Sequence, residues 1–540
     1  MADLDLGLGP GRHGLAPPEG RPATGGMTTP DGSTARDRRP ASEWDLAVFV
    51  LAGAALVRLA FSALIPLFPD ETYYWEWSRR LAAGYFDHPW GIAALVRGGT
   101  SFGGLIGISV SPVTVRLLVI AAGFLASLFG AAIARRVGGD RAGLVAAMVF
   151  AVMPLAAAGM VLATPDVPLL LGTAAALYAV VRALQSRPRS GASLAWWSAA
   201  GVALGLAFSS KYTSIVLPVG VTLAVLTRRD LRDRLAEPGP YVACVAATLV
   251  FLPVLVWNAH HGWISFGFQL RHGLGTPKGS PLTRELSLVG GQAGLVTPIL
   301  LGLLAIAVWR ALRRPAGDVH YVLAVVTLTA AATFVVSALR KPAEANWPAP
   351  AYISAVPLLA LAEWTPVARR WRNWGIGLAA AVSAVVYVQA VVPVLPLPAP
   401  RDPIARSAGW GGLAEAVNAA DMALAGDGVH VWVAGDTYQD ASELAFHLPG
   451  RPVTFSLNLS SRSNQYALWP GFPQRAHPGD DLVVVLDEVP YPHHTAVVLT
   501  PLFRSAEKGP LVPLRRRDGG VATQRRIWIF RGWSGKWVSP

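Results

Sequence analysis

Two adjacent carboxylates beside four aromatic rings stand in Pro69-Asp70-Glu71-Thr72-Tyr73-Tyr74-Trp75-Glu76-Trp77-Ser78, directly after the first long apolar run. Charge at a membrane boundary costs free energy and is kept mostly where it binds or reacts. If Pro69 opens a helix, Asp70 lies in its first turn, and Tyr73, Tyr74 and Trp77 share its face at i+3, i+4 and i+7. A carboxylate fixed there suits a general base acting on a hydroxyl, and the ring face suits a sugar or a lipid headgroup. An aromatic interface belt with solvated acids is the competing reading.

Other polar residues interrupt the apolar runs in a similar way. Asp87 and His88, in Gly84-Tyr85-Phe86-Asp87-His88-Pro89, suit a metal or phosphate contact, or a plain turn ahead of Pro89. Asp166, in Thr164-Pro165-Asp166-Val167-Pro168, suits a helix cap. Lys211 has no acidic neighbour in sequence, so it needs an anion such as a lipid phosphate, unless it snorkels to the interface. Trp257-Asn258 and His261-Gly262-Trp263 open a second polar loop that carries His272 and Lys278. Arg340 and Lys341, followed by Asn346 and Trp347, form a third. No P-loop, dinucleotide fingerprint, zinc-protease pair or serine elbow occurs in a credible context, so no nucleotide cofactor is expected.

The elements that must position these residues are membrane helices. The 540 residues are 53% hydrophobic and 15% charged, with a mean hydropathy of +0.41. That balance fits a polytopic membrane protein with some aqueous mass attached. The net charge of +13 comes from short arginine clusters between apolar runs, the pattern of cytoplasmic loops rather than of a nucleic-acid binder. The single cysteine, Cys244, excludes a disulfide framework and a thiolate metal site.

Residues 1–43 read as a disordered cytoplasmic tail, with Met27 as an alternative start. Leu46 to Phe68 is the expected first span, followed by apolar runs that bring the count to about 11, or 13 if some are broken pairs. Residues 44–398 then form the membrane domain, with 69–112 as its first external loop. With the N-terminus inside, the clusters Arg135-Arg136, Arg182 to Arg189, Arg228 to Arg234, Arg310 to Arg314 and Arg369 to Arg372 all fall on the cytoplasmic side. The unusual polar loops then face outward, together with residues 399–540. This last part alternates short strands (Val429 to Asp436, Arg451 to Phe455, Asp481 to Asp487, Arg526 to Phe530) with a helix (Gly412 to Ala425), and reads as a small soluble α/β domain.

Taken together, the motifs around Asp70, Asp87, Asp166, Ser210-Lys211-Tyr212, Trp257-Asn258 and Asn346-Trp347-Pro348-Ala349 resemble a family. So do Ser442-Glu443-Leu444-Ala445-Phe446 and Asn464-Gln465-Tyr466-Ala467-Leu468-Trp469-Pro470. The family is that of bacterial clan C (GT-C) glycosyltransferases related to protein O-mannosyltransferases and lipid A aminoarabinose transferases, families 39 and 83. The resemblance covers roughly residues 45–490.

It implies an inner-membrane enzyme that moves a sugar from a polyprenyl-phosphate carrier to an extracytoplasmic lipid A, glycan or protein, with inversion and with Asp70 as base. Glu71 would shape the acceptor site and Lys211 would contact the donor phosphate. Tyr74, Asp87, His88, Asp166, Lys278, Arg340, Lys341, Asn346 and Trp347 complete the substrate-binding set. Relatives carry a lysine where His88 stands, and pair the acid of that loop with a later histidine. A divalent metal held by Asp87 and His272 is therefore the cofactor that the resemblance allows. Partners are the donor, the acceptor and membrane lipids, with no nucleic acid. The rival class is a lipid or glycan transporter or flippase, whose intramembrane polar residues look alike.

Overall fold

In the computed structural model, residues 42–538 are described, apart from 275–278, 403, 425–428 and 489–492, with 272–274 described in backbone alone. Among the described residues, seven helices are long and apolar enough to cross a membrane. One of them, Pro112–Val152, is divided at Gly139, whose φ of 79° departs from helical geometry. A pair bent by 103° (Pro281–Val296 and Pro298–Arg313) and two shorter apolar helices accompany them. Counting the divided helix as two and the bent pair as one makes eleven apolar segments, the number the hydropathy pattern predicts.

The first span, Glu43–Leu64, is capped by Ser42, which exchanges hydrogen bonds with Asp45 in a capping box. It ends four residues before the predicted Phe68. Pro66 explains the early stop, because a proline disfavours helical geometry in the residue before it and donates no N–H. After this break a new helix, Pro69–Arg79, opens with proline at its first position, as the sequence predicts. The expected break at Met153-Pro154 is also present, between Val152 and a short helix that starts at Pro154.

The basic clusters gather at one end of the bundle. Arg136 bonds Gln185, Arg234 donates to the carbonyls of Leu184 and Ser186, Arg228 pairs with Asp318 and Arg310 donates to the carbonyl of Glu363. The first part of Pro112–Val152 runs towards that end from the end that carries Pro69–Arg79, and beyond Gly139 the chain turns back, so that Gly130 lies against Phe150.

The C-terminal part contains a five-stranded mixed sheet. Its strands are β1 (Val431–Gly435), β2 (Thr454–Ser456), β3 (Asp481–Asp487), β4 (Phe503–Arg515) and β5 (Val521–Trp533), in the order β2-β1-β3-β5-β4. The β1 pairings to β2 and β3 are parallel, and the β5 pairings to β3 and β4 are antiparallel. Leu482 to Leu486 are buried on both faces of the central strand, which explains the unbroken apolar run. β4 is absent from the strands that the sequence pattern predicts. A strand at the sheet edge tolerates a proline, and the register shifts between Lys508 and Leu511. The helix Tyr438–His447, also unexpected, turns its buried face onto the helix Pro69–Arg79: Thr72 Oγ1 lies 3.0 Å from Ser442 Oγ, and Trp75 meets Phe446 edge-on.

Candidate active site

Asp70 sits in the first turn of Pro69–Arg79, half-exposed, on the wall of a cavity of about 730 Å³. Tyr74, Asp87, His88, Lys211, Arg340 and Trp347 line the same cavity, so it gathers seven of the residues singled out in the sequence. Tyr73 and Tyr74 stay protonated: burial, and then the neighbouring carboxylates, hold both phenols well above their usual range.

The neighbouring acid has another task. Glu71 is buried and absent from the cavity wall, where it receives Nε and Nη2 of the buried Arg116 at 2.8 and 2.5 Å. It also accepts from the backbone N–H of Ala163 at 2.8 Å and of Phe68 at 3.0 Å. Arg116 in turn donates to the carbonyls of Ser62, Ile65 and Pro66, which the proline break leaves without helical partners. One ion pair therefore ties three chain segments together behind Asp70.

Asp87 is held from both sides. Its Oδ2 accepts from the Tyr73 hydroxyl at 2.7 Å and its Oδ1 from Arg462 Nη1 at 2.8 Å. Burial pushes its carboxyl up, and Arg462 and Tyr73 oppose that shift. Gln269 donates to its backbone carbonyl at 2.7 Å, which links the first loop to the helix Ile264–Leu274. With both carboxylate oxygens engaged in this way, Asp87 is an ion-pair partner as it stands. The side chain of His272 and all of Lys278 lie outside the described residues. Among the described residues no group of three or more His, Cys, Asp or Glu gathers to hold a metal ion.

Lys211 and Asp166 form one unit. Lys211 Nζ is 2.6 Å from Asp166 Oδ1, and Asn346 Nδ2 donates to Asp166 Oδ2 at 3.0 Å. Asp166 is the first residue of the helix Asp166–Gln185 but not its cap, since Pro165 holds that position and no side chain caps the helix; its carboxylate instead holds Lys211 at the cavity. Close backbone approach fixes Lys211 beside the first loop. The Gly91 N–H donates to the Ser209 carbonyl at 2.8 Å, and a Cβ on Gly91 would come within 2.5 Å of Ser210 Oγ. Trp257 packs flat on Gly84, where a Cβ would meet the ring at 2.6 Å. Lys341 is absent from the cavity lining.

Sequence reasoning missed the contribution of the C-terminal part. The Tyr438 hydroxyl donates to Asp70 Oδ1 at 3.1 Å, and Arg462, beside Asp87, lies 5.0 Å from the centre of the Tyr438 ring. Both line the cavity. Gln465 locks the join: its side-chain oxygen accepts from Phe86 N at 2.8 Å, and its own N–H donates to the Tyr73 hydroxyl at 2.7 Å. The motif Asn464 to Pro470 was the available signal, but nothing in sequence points from it to Tyr438 or Arg462.

With this geometry in view, the chain can be set against known proteins. Residues 87–257 match the family described as dolichyl-phosphate-mannose-protein mannosyltransferase. Over 312 residues the chain is 30% identical to the lipid A galacturonosyltransferase RgtD of Rhizobium johnstonii, a match covering 55% of this chain and 61% of that protein. The chain thus spans less than two thirds of the curated relative it matches. The structure of ArnT from Cupriavidus metallidurans bound to undecaprenyl phosphate superposes with a TM-score of 0.62 at 17% identity, covering 89% of this chain and 98% of that one. The archaeal oligosaccharyltransferase AglB from Archaeoglobus fulgidus, solved with an inhibitory peptide and a dolichol phosphate, gives 0.51 at 12% identity, covering 82% and 69%. The chain is a multi-pass membrane protein with the clan C glycosyltransferase fold. In sequence it is similar to that family model over residues 87–257 and to RgtD over 312 residues.

Proposed function

We propose that this protein is an integral-membrane glycosyltransferase that moves a sugar from a polyprenyl-phosphate carrier to a hydroxyl of an envelope acceptor. The observation that carries this reading is a single cavity at the boundary end of the bundle. It joins a carboxylate, Asp70, to cations, Lys211 and Arg340, over a wall of aromatic and apolar side chains such as Tyr74, Phe334 and Ile215. The relatives fit this chemistry, since RgtD is a lipid A galacturonosyltransferase and ArnT was solved with undecaprenyl phosphate.

In the proposed reaction, Asp70 takes the proton of the acceptor hydroxyl as its oxygen attacks the anomeric carbon. The bond from that carbon to the phosphate oxygen breaks, and polyprenyl phosphate leaves with the electron pair. Displacement from the opposite face inverts the anomeric centre. Negative charge grows on the departing phosphate, so cations rather than a strong acid must meet it, and Lys211 and Arg340 supply them. With the arginine-rich end in the cytoplasm, the cavity and the C-terminal sheet face the outside of the inner membrane.

Mass spectrometry of envelope glycolipids, glycans and glycoproteins in a deletion strain tests this reading. One acceptor should lose the mass of one sugar and regain it on complementation with the wild-type gene. An unchanged profile would overturn the proposal.

Two variants divide the roles. Lys211→Met should weaken binding of polyprenyl phosphate at least about tenfold, since hydrogen bonds to charged groups contribute about 1.5–3 kcal/mol. Calorimetric titration in detergent reads that loss, and unchanged affinity would remove Lys211 from the donor site. Tyr438→Phe deletes a donor to Asp70. The phenol remains a donor because burial, and then the charge of Asp70, hold it above its usual range. That hydrogen bond holds the carboxylate in place on the cavity wall, so its loss should leave the base less well positioned. kcat/KM should then fall at least about tenfold, since hydrogen bonds to charged groups contribute about 1.5–3 kcal/mol, and an unchanged value would show that Tyr438 does not position the base.

A further inference from the structure

The turn between β4 and β5 is tied to the ends of two membrane helices. Arg517 Nη1 donates to the carbonyl of Val391 at 3.0 Å, and its Nη2 donates to the carbonyl of Leu64. Those residues are the last of Pro366–Val391 and Glu43–Leu64. The turn therefore lies at the membrane boundary whichever compartment it faces.

The charge there is unbalanced. Arg516 takes up both local acids, at 3.1 Å from Asp402 and 2.9 Å from Asp518. Arg401, Arg406 and Arg515 are exposed, and among the described residues no ion pair to a carboxylate involves any of them. Two adjoining clefts that share Asp402 collect these groups. One, of about 390 Å³, is lined by Arg401, Arg406 and Thr523. The other, of about 100 Å³, is lined by Arg515, Arg516 and Arg517. Beside them Val392, Val394 and Leu395 are 57%, 64% and 48% exposed, an apolar collar continuous with the end of a spanning helix.

We propose that this corner is a headgroup site for an anionic phospholipid of the adjacent leaflet. The guanidinium groups would bind the phosphodiester oxygens in forked geometry, and the acyl chains would lie along the collar. Such a site orients the C-terminal sheet on the bilayer. Because Tyr438 and Arg462 reach the cavity from that same part of the chain, bound lipid would also steady their placement. The binding claim is independent of the proposed transferase reaction.

Native mass spectrometry of the full chain in detergent, titrated with phosphatidylglycerol or phosphatidylcholine, tests it. The wild type should retain phosphatidylglycerol selectively. Each arginine near an anionic surface contributes roughly a fivefold factor, so Arg401→Gln alone should weaken retention about fivefold. The triple variant Arg401→Gln/Arg406→Gln/Arg515→Gln should weaken it more than about tenfold with an unchanged melting temperature. The control pair Arg475→Gln/Arg504→Gln, which removes two positive charges away from the corner, should bind like the wild type, because Arg504 lies at the far end of β4, roughly 35 Å from Arg515 at strand rise. Equal retention of phosphatidylcholine, or full retention by the triple variant, would overturn the proposal. Displacement of the lipid by equimolar glycerol phosphate would also overturn it, since the site would then recognise a free phosphate rather than a lipid.

Discussion

Replacing Asp70 by asparagine should lower the rate of sugar transfer by about 10²–10⁴-fold, the range that general-base catalysis contributes, and leave the protein folded. The substitution keeps the shape and the ability to accept from the Tyr438 hydroxyl, which lies 3.1 Å from Oδ1. Only the capacity to take a proton is lost. Asp70 is half-exposed on the cavity wall, so no packing changes, and the melting temperature should stay within a few degrees of the wild type. Affinity for polyprenyl phosphate should change by less than tenfold, because Lys211 and Arg340 carry that contact in the proposed reaction. Single-turnover transfer measured beside donor binding separates the two effects. A D70N protein that transfers at the wild-type rate would end the assignment of Asp70 as base.

The adjacent carboxylate should behave in the opposite way. Glu71→Ala leaves Arg116 buried without its counter-charge and leaves the N–H groups of Phe68 and Ala163 without their acceptor. Removing one partner of a buried pair typically costs about 3–5 kcal/mol, a large share of the stability of an ordinary domain. The purified variant should therefore melt well below the wild type, or fail to accumulate in the membrane. Arg116→Lys in the wild-type chain should also destabilise, since an ammonium cannot reproduce the fork that serves Glu71 and three carbonyls at once. The double replacement Glu71→Gln/Arg116→Met should be less damaging than either single loss, because no charge then stays buried alone. Thermal melting in detergent checks the order. A Glu71→Ala protein of wild-type stability that has merely lost acceptor binding would return Glu71 to the substrate site.

The two neighbours show where sequence reasoning stops. Asp70-Glu71 read as a pair at the membrane boundary, and helical periodicity placed Tyr73, Tyr74 and Trp77 on the face of Asp70, but nothing local showed that Glu71 turns inward. That depends on Arg116, 45 positions away, whose own apolar run gave no sign of a partner. Asp166 is a similar case. Its local pattern suggests a cap, whereas its carboxylate holds Lys211 and Asn346, residues from two distant loops.

Hydropathy and charge by themselves determined a great deal: a polytopic membrane bundle, its eleven apolar segments, the clustering of arginines at one end, the proline that opens the Asp70 helix, and the change to a strand-bearing C-terminal part. These features follow from local physics, since a span needs about 20 apolar residues and a loop charge favours one side. The tertiary structure alone decided that the strand-bearing part completes the cavity through Tyr438 and Arg462, and that Glu71 braces the helix which carries Asp70. The contacts of Tyr438 and Arg462 join residues about 370 positions apart in the chain, and that of Glu71 with Arg116 spans 45. A contact of that separation leaves no periodic trace in either segment, because each side chain is shaped by a partner that only folding brings near.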